Sequence, residues 1–400
     1  MKKKMMITCT VVLVTAAVIL GFVLKNQVRE NPDKNTVNVA IGQWDTTQNE
    51  SQNYWNPDNH AVAKGMGGYY FIQTTDGISK IAFFDETTQE AVAVCAKPEC
   101  THSDNTCNAY LCDMKQTGSA LYLTDTIYCY NGYLYLIQCE GGMGKLVRIH
   151  TDGSARETIA DLFANTGVSS ISLVFHENDV YAYDDTGHAG QEEEAEEVIK
   201  KISLTDGTEQ TVFSYTGTGA SIDRGRSFGD KLYFVIREYT KNKETKAVSS
   251  DYKGLFEYDF ATGDTRKVID ADVCDYHADT ENQMLFYFVQ GTGLYAYDMT
   301  QGSNTLIYPA EDELIQCKMS YDGKNLYLFN NGAGRATETK TRIQRYCYVL
   351  DTKGNQIAKI LCNGVVYFGD TDYLFEENGD NLEYMKKENL SDKSEWILIN

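Results

Sequence analysis

The sequence lacks an excess of positive charge. Its 400 residues carry 36 Lys and Arg against 57 Asp and Glu, which gives a net charge of −21. A surface this acidic repels a phosphate backbone, so nucleic acid is excluded as a partner. The same surface is typical of a soluble body outside the cytoplasm, and it also fits a cationic partner or a divalent cation.

The motifs of the common active sites are also missing. The chain contains no Gly-x-Ser-x-Gly, no His-Glu-x-x-His, no phosphate-binding loop and no dinucleotide-binding fingerprint. The usual signatures of α/β-hydrolases, zinc proteases and nucleotide-binding proteins are therefore absent. The chain also lacks Cys-x-x-Cys-His, so covalently attached haem is not indicated. The sequence alone identifies no reaction.

Charge is absent from residues 7–24, which follow a basic tail at residues 1–6. This apolar run is longer than that of most cleaved secretory signals and ends without an Ala-x-Ala-like exit. It is close to the minimum length of a transmembrane helix. We therefore expect an uncleaved membrane anchor, with a cleaved signal as the alternative. The preceding lysines place the N-terminus in the cytoplasm and the rest of the chain outside it. The polar residues 25–59 are expected to form a flexible linker.

Helical periodicity is lacking after residue 25, and a repeat takes its place. A glycine or polar turn is followed seven times by an aromatic, strand-like segment. The copies are 67–72, 131–136, 178–183, 229–234, 282–287, 323–328 and 370–375. A second strand, a turn and a third strand follow each copy, and the turns are rich in Asn-Gly, Asp-Gly and Gly-Asp. Such pairs favour tight hairpins because these turns need positive φ.

Each repeat thus supplies about four antiparallel strands, which is the unit of a β-propeller blade. The predicted fold is all-β, a β-propeller of seven four-stranded blades at residues 60–400, preceded by one transmembrane helix; six or eight blades are the alternatives. Long insertions at Asp184–Val198, Tyr239–Lys253 and Asn330–Arg342 fall between the second and third strands of their blades. We expect them to share one face, and function usually lies on such loops.

Residues 95–112 contain an unusual concentration of cysteine and histidine side chains, which are reactive or can bind metals. Four of the eleven cysteines and one of the six histidines lie within this segment. They are Cys95, Cys100, His102, Cys107 and Cys112. Three interpretations stay open: disulfides that fix a loop, a Zn²⁺ site formed by the first four of these residues, or reduced thiols activated by the histidine. The segment is expected to connect the first blade to the second, on the face that bears the insertions.

The same segment carries a resemblance. The spacing Cys-x-Lys-Pro-x-Cys-x-His over residues 95–102, followed by Cys-Asn-Ala at 107–109, resembles a motif of exported, membrane-anchored bacterial β-propeller proteins whose role is undefined. Residues 60–400 are similar more generally to TolB-like and YWTD-like propellers. The resemblance implies the fold and an exported, membrane-anchored location, and it implies no catalytic residues. The chain departs from the lipid-linked members because it has no lipobox.

These observations predict a binding or scaffolding propeller for a protein, peptide or glycan of the cell envelope. One alternative is a hydrolase or lyase that uses carboxylates on the loop face, with Asp76, Asp125, Asp184 and Glu238 as candidates. Another is a metal- or redox-linked sensor that uses the cysteine-rich loop. No cofactor other than zinc at that loop is expected.

Overall fold

The structure is a computed structural model that describes residues 51–116, 120–164, 171–184, 194–242, 244–245, 248–330 and 344–399. These residues form seven antiparallel sheets, each built from consecutive strands. The strands of blades 1 to 3 are β1 (Val62–Gly65), β2 (Gly68–Thr75), β3 (Ile78–Asp85), β4 (Ala91–Ala93), β5 (Tyr110–Asp113), β6 (Leu121–Tyr130), β7 (Tyr133–Glu140), β8 (Met143–His150), β9 (Glu157–Ala164), β10 (Ile171–His176), β11 (Asp179–Asp184), β12 (Glu194–Ser203) and β13 (Glu209–Thr218). The strands of blades 4 to 7 are β14 (Ser221–Phe228), β15 (Lys231–Lys241), β16 (Val248–Asp259), β17 (Thr265–Ile269), β18 (Val273–Asp279), β19 (Met284–Val289), β20 (Gly293–Asp298), β21 (Ser303–Pro309), β22 (Lys318–Tyr321), β23 (Asn325–Phe329), β24 (Arg345–Asp351), β25 (Gln356–Cys362), β26 (Val365–Phe368), β27 (Tyr373–Asn378), β28 (Asn381–Lys386) and β29 (Ile397–Leu398).

The seven-bladed, all-β prediction is confirmed for the described residues. Every aromatic repeat becomes the second strand of a blade, and the turn before it joins the first strand to the second. Between β6 and β7, for example, Asn131 and Gly132 have φ of 48° and 78°. A tight hairpin turn with this twist requires positive φ at both central residues, which Asn and Gly tolerate best.

The core lies between the blades. Second strands such as β11 and β23 are buried over four consecutive residues, because neighbouring blades cover both faces of each sheet. One hydrophobic cluster joins blades 2 and 3 through Tyr135, Leu146 and Phe175. Another joins blades 7 and 1 through Tyr69 and Phe375. This burial on both faces explains why the second strands are continuous apolar runs.

The first strand of each blade lies nearest the axis, where first strands of several adjacent blades, such as β1 with β6 and β18 with β22, contact one another. We call the face at which the first strands end the turn face. The opposite face, where the second strand of each blade connects to the third, is called the loop face. The three predicted insertions do connect second to third strands, as expected.

The predicted insertions are, however, too long. Glu194–Val198 belongs to β12, and most of the predicted insertion 239–253 belongs to the paired strands β15 and β16. Several charged residues of these strand ends, such as Glu194 and Asp251, are exposed to solvent. The predicted transmembrane helix, residues 7–24, lies outside the described residues. In the part of the chain that is described, no helix is both long and apolar enough to cross a membrane.

Candidate metal centre and the central channel

The cysteine-rich loop is an excursion from the fourth strand of blade 1. The amide of Val94 donates to the carbonyl of Ile81 at 3.0 Å, and the amide of Ile81 donates to the carbonyl of Ala109 at 2.9 Å. The loop therefore leaves and rejoins the sheet at the same residue, and both β4 and β5 pair with β3. The prediction that this loop connects blades 1 and 2 is wrong, because β5, which follows the loop, still belongs to the sheet of blade 1.

Four side chains of this loop converge on one point. The sulfur atoms of Cys95, Cys100 and Cys107 and a ring nitrogen of His102 all lie within 4.8 Å of one another. Nδ1 of His102 is 3.3 Å from Sγ of Cys107. In a tetrahedral Zn²⁺ site with Zn–S bonds of about 2.3 Å, neighbouring sulfurs lie about 3.8 Å apart. The four donors thus form a closed set of the size that zinc requires.

Two turns position these donors. The amide of Cys100 donates to the carbonyl of Lys97 at 3.2 Å across a turn that contains Pro98, which favours the second position of such turns. The amide of Cys107 donates to the carbonyl of Asp104 at 3.1 Å. Between them, His102 has a φ of 56°. A non-glycine residue in the left-handed region is uncommon and costs energy, so it marks a conformation that the surrounding contacts impose.

Backbone amides also prepare two of the sulfurs for a metal. Burial raises the pKa of the Cys95 thiol, but hydrogen bonds from the amides of Lys97 and Asn108 outweigh this effect and lower its pKa overall. The amide of Ala109 donates to Sγ of Cys107 at 3.3 Å. Burial nevertheless raises the pKa of Cys107 to about 12. The metal-bound form of a cysteine is the thiolate, so a cation is needed to ionise the second sulfur.

Cys112 does not belong to this group. It lies in β5 opposite Ser79 and is buried. The four cysteines at residues 95–112 are free thiols, with no disulfide among them. The structure therefore brings together four of the five residues singled out in the sequence and places the fifth in a sheet.

The central channel is filled by the chain itself. We call residues 51–60 the axial segment. Gln52 accepts a hydrogen bond from the amide of Phe175 near the end of β10, and Asp58 forms an ion pair with Lys318 at the start of β22. The axial segment thus runs from the turn face to the loop face. It then turns at Asn56, whose carbonyl accepts from the amide of Asn59 at 3.1 Å, and returns as β1. The last residues of the predicted linker 25–59 therefore lie on the axis of the propeller.

The sequence of the axial segment contains two residues that indicate burial. Tyr54 and Trp55 are two large aromatic residues in a stretch otherwise typical of a linker. Trp55 is only 1% exposed and packs against Tyr69 and Phe375. Aromatic side chains of this size bury large areas and rarely belong to flexible chain.

The candidate carboxylates of the loop face have separate partners. Asp125 accepts from Asn59 at 3.5 Å, and Glu238 pairs with Lys253 at 2.9 Å. Asp76 lies in the turn between β2 and β3. Asp184 lies near the buried Glu197. Burial raises the pKa of Glu197 to about 8, and the negative charges of Asp184 and Asp223 add to this shift. The four predicted residues thus do not form one acid/base site.

A groove opens on the loop face between blades 1 and 7. It has a volume of about 270 Å³. Phe71, Ile72 and Leu382 supply apolar lining, and the exposed Glu377 and Asp380 add negative charge. The groove can therefore accept an apolar group that carries a positive charge beside it.

Comparisons with known proteins place this architecture. No family model and no curated protein matches the sequence. A prolyl endopeptidase structure matches with a TM-score of 0.56 at 11% identity, over 84% of this chain and 49% of that enzyme. The chain is a β-propeller. It spans about half the length of the prolyl endopeptidase.

Two further propellers match less closely. An oligogalacturonate lyase from Vibrio parahaemolyticus has a TM-score of 0.49 at 13% identity, over 80% of this chain and 83% of the lyase. TolB from Acinetobacter baumannii has a TM-score of 0.39 at 12% identity, over 80% and 77% of the two chains. At such identities the likeness shows the fold alone.

Proposed function

We propose that this protein is a membrane-anchored propeller outside the cytoplasm that binds a peptide segment of an envelope protein on its loop face. The observation that carries the proposal is the filled channel. Because residues 52–60 occupy the axis, they take up the space that a ligand on the axis would need. The groove between blades 1 and 7 is open to a ligand instead.

The orientation of the axial segment supports this arrangement. Gln52 lies at the turn face, so the described chain enters the channel from that side of the propeller. We propose that this entry side is the one nearer the membrane when residues 7–24 form the anchor. The loop face, with its groove and long connections, would then point away from the membrane toward other envelope components.

The chemistry of the groove favours a basic, partly apolar peptide. Its apolar lining suits a Leu or Ile side chain, and Glu377 and Asp380 suit a neighbouring Lys or Arg. Charges at the edge of such a site mainly govern selectivity and association rate. A glycan lacks both the positive charge and the aliphatic side chain that this lining complements.

We expect Asp380→Lys to weaken peptide binding roughly tenfold, because it reverses a charge beside the ligand. Fluorescence anisotropy with a dye-labelled peptide of alternating Leu and Lys measures this effect. Asp230→Lys is the matched control, since Asp230 is an exposed acid on the turn face of blade 4. Equal binding by both variants, or competition by a chitin oligosaccharide alone, would contradict a peptide site in the groove.

The cysteine cluster supports a second proposal, a structural Zn²⁺ held by Cys95, Cys100, Cys107 and His102. Such an ion would fix the conformation of an excursion that has few backbone contacts of its own. Ordering a loop costs about 1–2 kcal/mol per residue, which a closed tetrahedral site can offset. The zinc has a structural role here because all four coordination positions are filled by protein donors.

Native mass spectrometry of the purified full-length protein should find one zinc ion per chain. Cys100→Ser should lose the ion, and the loop should become sensitive to proteolysis while the propeller stays folded. Cys112→Ser is the control and should keep the ion, because Cys112 lies outside the cluster. A denatured mass that reveals disulfides among these cysteines would instead favour the disulfide interpretation.

A further inference from the structure

We infer that the axial segment is an internal staple that closes the propeller ring. Blade 1 consists only of residues 62–113 and blade 7 only of residues 365–398. The first and last blades therefore share no strand, and the described contacts between their sheets are made by side chains. They include the aromatic cluster, a hydrogen bond from the Tyr69 hydroxyl to Asp370 at 2.7 Å, and an ion pair of Asp370 with Lys64 at 3.0 Å.

Two amide side chains of the axial segment bind backbone groups of first strands. The amide group of Gln52 donates to the carbonyl of Phe175 at 2.7 Å and accepts from its N–H at 2.8 Å. Asn53 makes the same pair of contacts with Ser227, whose N–H donates to it at 3.2 Å. Each amide thus takes the place of a neighbouring strand and satisfies both backbone groups of one residue. These contacts tie the segment to blades 3 and 4.

The blades on either side of this pair are tied to the segment as well. Nδ1 of His60 lies 2.8 Å from the carbonyl of Ile127 in blade 2. Tyr54 stacks on His277 of blade 5 with ring centroids 6.4 Å apart, and its carbonyl accepts from Ser320 of blade 6 at 2.8 Å. The segment therefore reaches across the axis from blade 2 to blade 6.

The axial segment also contacts blade 7. The amide of Asn56 donates to the carbonyl of Tyr367 at 3.0 Å. The segment continues directly into β1 of blade 1. It consequently contacts the first strands of all six other blades while being covalently part of the first. A single element with this set of contacts resists separation of any two blades.

The charge of Asp58 also helps the axial segment to hold the blades together. Asp58 forms ion pairs with Arg224 of blade 4 and with Lys318 of blade 6, the second at 3.2 Å. It lies at the end of the channel where the chain turns back. Without the segment, these two cations would lose a shared counter-charge. Their repulsion would then favour opening of the ring.

The test is a remote effect on the seam. Asn53→Ala removes contacts with blade 4, which lies across the ring from the seam, and Asp58→Asn removes ion pairs with blades 4 and 6. If the segment is a staple, hydrogen exchange in peptides covering β2 and β27 should accelerate roughly tenfold in either variant, although neither side chain touches those strands. Acceleration confined to blades 4 to 6 would overturn the proposal.

Asn330→Ala is the matched control. Asn330 is also a buried amide that binds backbone groups, with Gln344 and Tyr346 as partners, but these contacts stay within blade 6. Its loss should speed exchange in blade 6 and leave the seam unchanged. Gln52→Ala provides a milder variant if Asn53→Ala does not fold, and it should again accelerate exchange at the seam. An unchanged seam in that variant would also overturn the proposal.

Discussion

Replacement of Arg226 by Met is expected to destabilise the propeller by about 3–5 kcal/mol, because it removes the nearer counter-charge of a buried carboxylate and leaves only Arg224, at 3.9 Å, beside it. Arg226 lies in β14 of blade 4 with its side chain 1% exposed. It donates to Asp275 at 2.7 Å, to the carbonyl of Tyr276 at 2.7 Å and to the carbonyl of Met319 at 2.9 Å. One side chain thus joins the first strands of blades 4, 5 and 6.

The partner of Arg226 is equally enclosed. Asp275 is fully buried and also accepts from the amides of Tyr276 and Met319, both at 2.8 Å. A buried charge without a partner costs far more than a lost hydrogen bond. Removing either member should therefore be costly. Replacing both by apolar residues should cost less than either single change, since no unpaired charge is then left.

Urea unfolding of the full-length protein measures this effect. Lys267→Met is the matched control, because Lys267 pairs with Asp270 at 2.8 Å on the surface. Exposed pairs contribute about 0–1 kcal/mol, so the control should lie close to the parent. An Arg226→Met variant as stable as Lys267→Met would show that the buried pair does not hold the three blades together.

The blades were predictable because their signals are local. Each tight turn and the aromatic strand after it lie within about ten residues, so a pair such as Asn131 and Gly132 indicates its hairpin without knowledge of the rest of the chain. The repetition of that unit then predicts the propeller. The contact between Arg226 and Asp275 joins residues 49 positions apart. No periodic pattern marks such a pair.

The two errors in placing functional segments have related causes. The sequence predicts the fourth strand of blade 1 at residues 91–94, where β4 lies, but it does not predict β5, which begins within the cysteine-rich stretch. The axial segment makes contacts with several blades and pairs regularly with none of them. It shows no alternation for that reason. Composition alone therefore predicted a linker, although the aromatic pair Tyr54 and Trp55 indicated burial.

The propeller is expected to lose stability as the pH falls from about 6.5 to 4, because two buried histidines border the channel as neutral rings. Burial lowers the pKa of His60 to about 4 and that of His277 to about 3. His60 stacks on Tyr128 with ring centroids 3.8 Å apart. Its two nitrogens face the carbonyls of Ile127 and Gln52, which favours protonation, but the effect of burial is larger.

Stability falls with decreasing pH because the pKa of these histidines is lower in the folded protein than in the unfolded chain. The unfolded chain takes up protons on these rings below its ordinary pKa of about 6.5, while the folded protein does not until the pH is much lower. Stability is therefore complete above pH 6.5 and falls as the pH drops toward the folded pKa. For His60 alone the loss by pH 4 is on the order of 3 kcal/mol.

Unfolding free energies at several pH values test this expectation with His60→Gln, whose neutral amide can still donate to the carbonyl of Ile127. The free energy of unfolding of the parent should fall more steeply between pH 6.5 and 4. The slope for the variant should be smaller by about 1.4 kcal/mol per pH unit, which corresponds to the uptake of one proton. Asn53→Ala is the control, since it weakens the axial segment without removing a titrating group. It should lower stability equally at every pH and keep the slope of the parent. A His60→Gln variant that retains the full slope would show that the acid sensitivity arises elsewhere in the fold.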